Sequence, residues 1–209
     1  MRSDEVMRLS PVIAVVTVKD AGHGEPVARA LAAGGVRAVE ITLRTPAALE
    51  AIRRAADRVP DAVVGAGTVL SERDLSAVAD AGAAFAVSPG LTPALLQAAR
   101  GSSVSLLPGV ASASELMLGI EHGLDRFKFF PAEAAGGVPL LKGLAGPFAD
   151  MRFCPTGGIS LENAATYLAL PNVLCVGGSW VAPDMLIQAG DWEGIERLAR
   201  AAVERLTRT

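Results

Sequence analysis

Residues 126–133 read RFKFFPAE and set one lysine among three phenylalanines. The stretch reads as a short buried strand ending at Pro131. Strand side chains alternate, so Arg126, Lys128 and Phe130 share one face and Phe127 and Phe129 the other. An ammonium held in apolar surroundings tends to give up its proton instead of bearing the full desolvation cost. The neutral amine is a nucleophile that adds to ketones and forms an imine. Lys128 is therefore a candidate Schiff-base lysine. The competing reading is a lysine that snorkels to solvent or pairs with an acid. Only two other lysines exist: Lys19, flanked by the acidic Asp20, and Lys142, expected on an exposed helix.

A second set of reactive residues lies in RAVEITLR, residues 37–44. Alternation puts Ala38, Glu40, Thr42 and Arg44 on one face and the apolar Val39, Ile41 and Leu43 on the other. Glu40 then points inward, where a carboxylate needs a partner or a task. Arg44, two pleats on, has the planar fork that suits a substrate carboxylate. A Glu40–Arg44 or Glu40–Lys128 ion pair that only fills space explains the same pattern. Thr68, closing GAGT, offers a hydroxyl or a turn residue. Pro89, in SPG, offers an apolar wall. Two glycine pairs, in PTGGIS (residues 155–160) and VGGSW (residues 176–180), free backbone N–H groups to approach an anion, and Ser179 adds a hydroxyl.

These residues need elements to hold them. Eight short apolar runs begin at residues 11, 37, 62, 85, 105, 126, 151 and 173, about one βα unit apart. Amphipathic helices lie between. Thr45-Pro46, Thr92-Pro93 and Ser160 read as helix N-caps, and Ser112 with Glu115 as a capping box. Parallel strands with right-handed crossovers follow, and eight such units close into a (β/α)8 TIM barrel. An open doubly wound sheet is less well matched, because no GxGxxG opens the first helix. The expectation is one α/β domain over residues 1–209, with a short extension of about ten residues against the N-terminal end of the barrel. Barrel sites form at the C-terminal ends of the strands, and the last two loops commonly take phosphate. Arg44, Thr68, Pro89 and the two glycine pairs fall at such ends, as does His23, whose loop position favours a surface histidine over a substrate contact.

The totals bound the rest. The chain has 209 residues, 51 % hydrophobic and 20 % charged, with a formal net charge of -3. That charge offers no footprint for nucleic acid. No apolar run reaches the length of a membrane span, and no signal peptide opens the chain. Cys154 and Cys175 sit in apolar runs and read as buried thiols of a cytoplasmic protein. Only two histidines occur, His23 and His122, and no cluster has metal-ligand spacing. No metal and no cofactor are expected; a small-molecule substrate is.

The runs GGVRAVEITLRT, VGAGTVL, SPGLT, FKFFPAE, RFCPTGGIS and VLCVGGSW resemble the KDPG aldolases. These are class I 2-keto-3-deoxy-6-phosphogluconate aldolases often also active on 4-hydroxy-2-oxoglutarate. The likeness spans residues 11–200 and implies a homotrimeric barrel without metal. By position it makes Lys128 the imine-forming lysine and Glu40 the general acid/base. It makes Arg44 and Thr68, with Thr156 nearby, the holders of the pyruvyl carboxylate. Pro89 and Phe130 become the apolar wall; Gly157, Gly158, Gly178 and Ser179 become the phosphate site. Two residues depart from the pattern: Ala14 replaces an expected proline and Ala135 an expected asparagine. The implied reaction is cleavage to pyruvate and glyceraldehyde 3-phosphate, or of 4-hydroxy-2-oxoglutarate to pyruvate and glyoxylate. The alternatives are an aldolase for the 6-phosphogalactonate epimer and a phosphosugar-binding or isomerase barrel that uses no imine.

Overall fold

β-Branched and aromatic runs between turns form nine short parallel strands among residues 1–207, the part of the chain that the computed structural model describes. They are β1 (Val12–Val16), β2 (Ala38–Thr42), β3 (Val63–Gly67), β4 (Phe85–Val87), β5 (Ser105–Leu107), β6 (Gly109–Val110), β7 (Arg126–Phe129), β8 (Arg152–Pro155) and β9 (Val176–Gly178). Ten helices accompany them: α1 (Ser3–Met7), α2 (Gly24–Ala33), α3 (Ala48–Arg58), α4 (Glu72–Asp80), α5 (Pro93–Arg100), α6 (Ala113–Glu121), α7 (Gly137–Ala145), α8 (Ala164–Leu168), α9 (Asp184–Ala189) and α10 (Trp192–Thr207). Arg208 and Thr209, inside the expected domain of residues 1–209, lie outside the described residues.

The fold is α/β and barrel-like, but the strands divide into two sheets where a single sheet of eight was expected. Six strands run in the order β5-β4-β3-β2-β1-β9 and three in the order β6-β7-β8. Prolines stand at both divisions. Pro108 separates β5 from β6. Pro155 stands in β8 where the ladder toward β9 thins to two bridges, Phe153 with Val173 and Thr156 with Gly177. Proline has no N–H to donate, so a ladder weakens wherever one is inserted.

Two apolar clusters follow from strand alternation. Phe127, Phe129 and Phe153 are fully buried on the outer face, among helix residues such as Leu31, Leu116 and Leu141. Each such side chain contributes about 1.5–3 kcal/mol. Ile13, Ala38, Phe85, Leu107, Cys154 and Cys175 gather on the inner face with Val6 and Met7 of α1. The first helix therefore closes the end where the strands begin. Arg126 Nε donates to Asp4 Oδ1 (2.6 Å) and Ser3 Oγ to the Leu106 carbonyl (3.1 Å), which fixes α1 there.

The helix starts were read correctly where a hydroxyl was free to cap. Thr92 accepts the Leu95 N–H with Pro93 in the first turn, and Ser112 accepts the Glu115 N–H. Two expected caps fail. The Thr45 hydroxyl donates to the Val18 carbonyl instead, and α3 starts later, after Ala47. Ser160 caps only a turn at Glu162, and α8 starts after Asn163.

Candidate active site

Alternation in β7 drives Phe127 and Phe129 outward and turns Lys128 inward. Lys128 retains 6 % of its surface and Glu40 3 %. Lys128 Nζ lies 3.4 Å from Glu40 Oε1 and 5.1 Å from the centre of the Phe130 ring. The ion pair anticipated from the sequence exists. Lys19 and Lys142 are exposed, so burial separates Lys128 from the other amines. Room for the Glu40 carboxylate depends on β3: a Cβ at Gly67 would fall on it. A carboxylate and an amine so placed can pass a proton to each other or to a reactant between them.

Just beyond this pair, at the C-terminal ends of the strands, opens a cavity of about 530 Å³. Seven of the expected residues line it: Arg44, Phe130, Thr156, Gly157, Gly158, Gly178 and Ser179. Glu40, Lys128, Thr68 and Pro89 do not. The first two are buried beneath it, and Phe130 connects the two levels. Arg44 is exposed, and its guanidinium has no protein partner among the described residues. Pro89 lies against β6, where a Cβ at Gly109 would meet its carbonyl; Gly109 is the register partner of Lys128. Thr68 is held at φ +60°, a left-handed conformation that strains a β-branched residue by about 1–3 kcal/mol.

The glycine loop after β8 is shaped as an anion cradle. Gly157 and Gly158 have φ +98° and +78°, open to glycine and strained for other residues. Their carbonyls are engaged away from the cavity. The Glu133 N–H donates to Gly157 O (3.1 Å) and Asn163 Nδ2 to Gly158 O (3.0 Å). The N–H groups of Gly158 and Ser179 have no protein acceptor among the described residues, whereas the bridge of Thr156 with Gly177 turns the Gly157 N–H toward the Gly177 carbonyl. Free N–H groups lining a concave site attract an oxyanion.

A sequence profile of the KDPG and KHG aldolases matches residues 3–198. The chain belongs to this aldolase family. It is 54 % identical over 202 residues to the KHG/KDPG aldolase of Escherichia coli K12, covering 97 % of this chain and 95 % of that one. It is 53 % identical to the 2-dehydro-3-deoxy-phosphogluconate aldolase of Pseudomonas aeruginosa over 98 % of this chain and 93 % of that one. Among solved structures it resembles the KDPG aldolase of Legionella pneumophila, in which pyruvate was captured as a covalent carbinolamine. There the TM-score is 0.95 and the identity 47 %, covering 97 % of this chain and 98 % of that one.

Several features of this aldolase escaped sequence reading. Thr17 lines the cavity, and its hydroxyl lies 2.8 Å from that of the fully buried Thr42. Threonine is common in strands, so nothing marked this pair. Asp184, at the start of α9, also lines the cavity. His23, expected near the mouth, does not line it; its ring meets Trp192 edge-on, with centroids 5.4 Å apart. Ala14 packs in the outer cluster, so the departure there is away from the site. A larger cavity, about 680 Å³, lies between α4 and α5 but brings no comparable groups together. Among the described residues, no three His, Cys, Asp or Glu side chains gather as a metal site, and no helix is long and apolar enough to cross a membrane.

Proposed function

We propose that this aldolase cleaves 2-keto-3-deoxy-6-phosphogluconate reversibly to pyruvate and glyceraldehyde 3-phosphate through an imine on Lys128, and also cleaves 4-hydroxy-2-oxoglutarate. The observation that carries the reading is the buried Lys128–Glu40 pair beneath a cavity with a partnerless guanidinium and unengaged N–H groups. The covalent pyruvate adduct of the Legionella relative supports the same route.

In this reaction Lys128 Nζ, its proton released to Glu40, adds to the C2 ketone. Glu40 returns that proton to the carbinolamine hydroxyl, which leaves as water, so that a protonated imine and the Glu40 carboxylate remain. Glu40, through a water, takes the C4 hydroxyl proton. The C3–C4 bond breaks, its electron pair flows into the iminium, and the aldehyde departs. Glu40 returns a proton to the enamine carbon, and water frees pyruvate and the amine. A base in this role contributes about 10²–10⁴-fold. Arg44, Thr68 and Thr156 hold the pyruvyl carboxylate. Pro89 and Phe130 wall the chain of the substrate. Gly157, Gly158, Gly178 and Ser179 take the phosphate, and binding at that remote end orients the bond that breaks.

The remaining features follow the same reading. The two sheets act as one closed (β/α)8 ring, with β5 and β6 a single stave broken at Pro108. The bridges from β8 to Val173 and Gly177 support that closure. Residues 1–209 form one domain, supported by the packing of α1 into the inner cluster. A homotrimer is the assembly that the family likeness favours. The free, buried Cys154 and Cys175 suit the reducing cytoplasm.

Borohydride reduction in the presence of pyruvate tests the reading. A pyruvyl adduct mapped to Lys128 is expected. Undiminished turnover with Lys128 left unmodified would overturn it.

A further inference from the structure

The loop after β7 is joined to the glycine loop after β8 by more than the strands. The Ala132 N–H donates to Thr156 O (2.8 Å) and the Glu133 N–H to Gly157 O (3.1 Å). The Tyr167 hydroxyl, carried by α8, donates to Glu133 Oε1. Tyr167 is 1 % exposed, whereas Glu133 is at the surface. The contacts leave no room for a side chain at Gly158 and little at Gly137. A Cβ at Gly158 would run into the Glu133 side chain, and one at Gly137 would come 3.1 Å from the Tyr167 hydroxyl. Burial, and then the adjacent Glu133 carboxylate, raise the Tyr167 pKa, so the hydroxyl keeps the proton that it donates.

We infer that Glu133 and Tyr167 are a positioning pair for the phosphate end of the site. They clamp the β7 loop against Gly157 and Gly158, and this fixes the direction of the free Gly158 N–H. Neither side chain lines the cavity, so neither touches substrate. The physical reason is entropy. Two adjacent glycines have more backbone conformations to lose than any other pair of residues, and N–H groups bind an oxyanion well only when their directions are set beforehand. The pair supplies that restraint in addition to the hydrogen bond from Asn163 Nδ2 to Gly158 O.

The inference rests on the phosphate reading above and deepens it. It predicts a loss confined to phosphorylated substrate. Tyr167→Phe, Glu133→Ala and Glu133→Gln should be assayed with 2-keto-3-deoxy-6-phosphogluconate and with 4-hydroxy-2-oxoglutarate, which has no phosphate. The first two variants should lose roughly 10-fold or more in kcat/KM on the phosphorylated substrate, mainly through KM, the equivalent of one hydrogen bond to a charged group. On the unphosphorylated substrate they should stay within about 3-fold of the parent, as should the rate of borohydride trapping with pyruvate. Glu133→Gln keeps an acceptor oxygen and should recover most of the loss. An equal loss on both substrates, or no loss on either, overturns the inference. Should Tyr167→Phe not fold, Glu133→Ala at the surface gives the same decision. A parent enzyme that prefers the unphosphorylated substrate would remove the phosphate reading itself, and this inference with it. Failure of trapping at Lys128 would instead remove the imine.

Discussion

Lys128 Nζ and Glu40 Oε1 stand 3.4 Å apart, with 7 % and 4 % of their side chains exposed, although 88 residues separate them in sequence. Opposite charges in an apolar interior stabilise each other. They also leave whichever partner survives a substitution unpaired, at about 3–5 kcal/mol. Lys128→Met should therefore abolish cleavage, by on the order of 10⁴-fold or more, and also lower stability by about that amount. Adding Glu40→Leu should restore stability to near or above that of the parent while the protein stays inactive. Urea unfolding of the single and double variants checks this. Glu40→Gln should still be trapped by borohydride with pyruvate, yet turn over about 10²–10⁴-fold more slowly.

Arg44 reaches the cavity with no protein partner for its guanidinium among the described residues. Its removal should act on substrate binding and leave the fold alone. Arg44→Ala should raise the pyruvate concentration needed for half-maximal trapping by about 10–100-fold, the equivalent of a hydrogen bond to a charged group. Arg44→Lys should recover only part of the loss, because an ammonium cannot present two parallel N–H groups.

Thr68 holds φ +60° at the end of β3. Glycine accepts that conformation freely but has more entropy to lose on folding, about 0.5–1 kcal/mol. Relief of about 1–3 kcal/mol of strain should outweigh this. Thr68→Gly should unfold at the same urea concentration or higher and bind pyruvate more weakly. A clear loss of stability would show that the backbone is not strained there.

Asp4 anchors α1 through Arg8 and Arg126, and these hydrogen bonds hold its carboxyl below the ordinary 3.8. A group whose pKa is lowered by folding adds stability that is complete above its unfolded value and fades as pH falls through the folded one. Acidification below about pH 3.8 should therefore weaken the anchor of the first helix. Asp4→Asn should flatten that part of an unfolding curve measured against pH and leave the region above pH 5 parallel to the parent.

Tyr167 is the one tyrosine of the chain, so phenolate absorbance reports it alone. Burial and the Glu133 carboxylate raise its pKa above the ordinary 10.0. Folding favours the protonated phenol, so its contribution to stability is whole below pH 10 and declines as pH rises further. No phenolate should appear near pH 10 while the protein stays folded, and Glu133→Ala should move its onset downward.

Much of this was legible in the linear order of residues because it depends on periodicity. Alternation through RFKFF and RAVEITLR tells which side chains share a face, and burial in β7 and β2 follows it: phenylalanines outward, Lys128 and Glu40 inward. The βα spacing tells that the strands run parallel, and the paired glycines tell which loops can bare their N–H groups. These are local properties, set within a few residues by backbone sterics. Contacts across the fold are not. Pro108 and Pro155 look like ordinary strand residues until their missing N–H groups interrupt a ladder. Thr45 looks like a helix cap until the Val18 carbonyl takes its hydroxyl. Thr17 and Thr42 look like strand filler until packing sets their hydroxyls together. Glu133 and Tyr167, 34 residues apart, meet only because α8 packs beside the β7 loop. Such pairings depend on where whole elements come to rest, and that is decided by the summed burial of many side chains and by no single stretch of the chain.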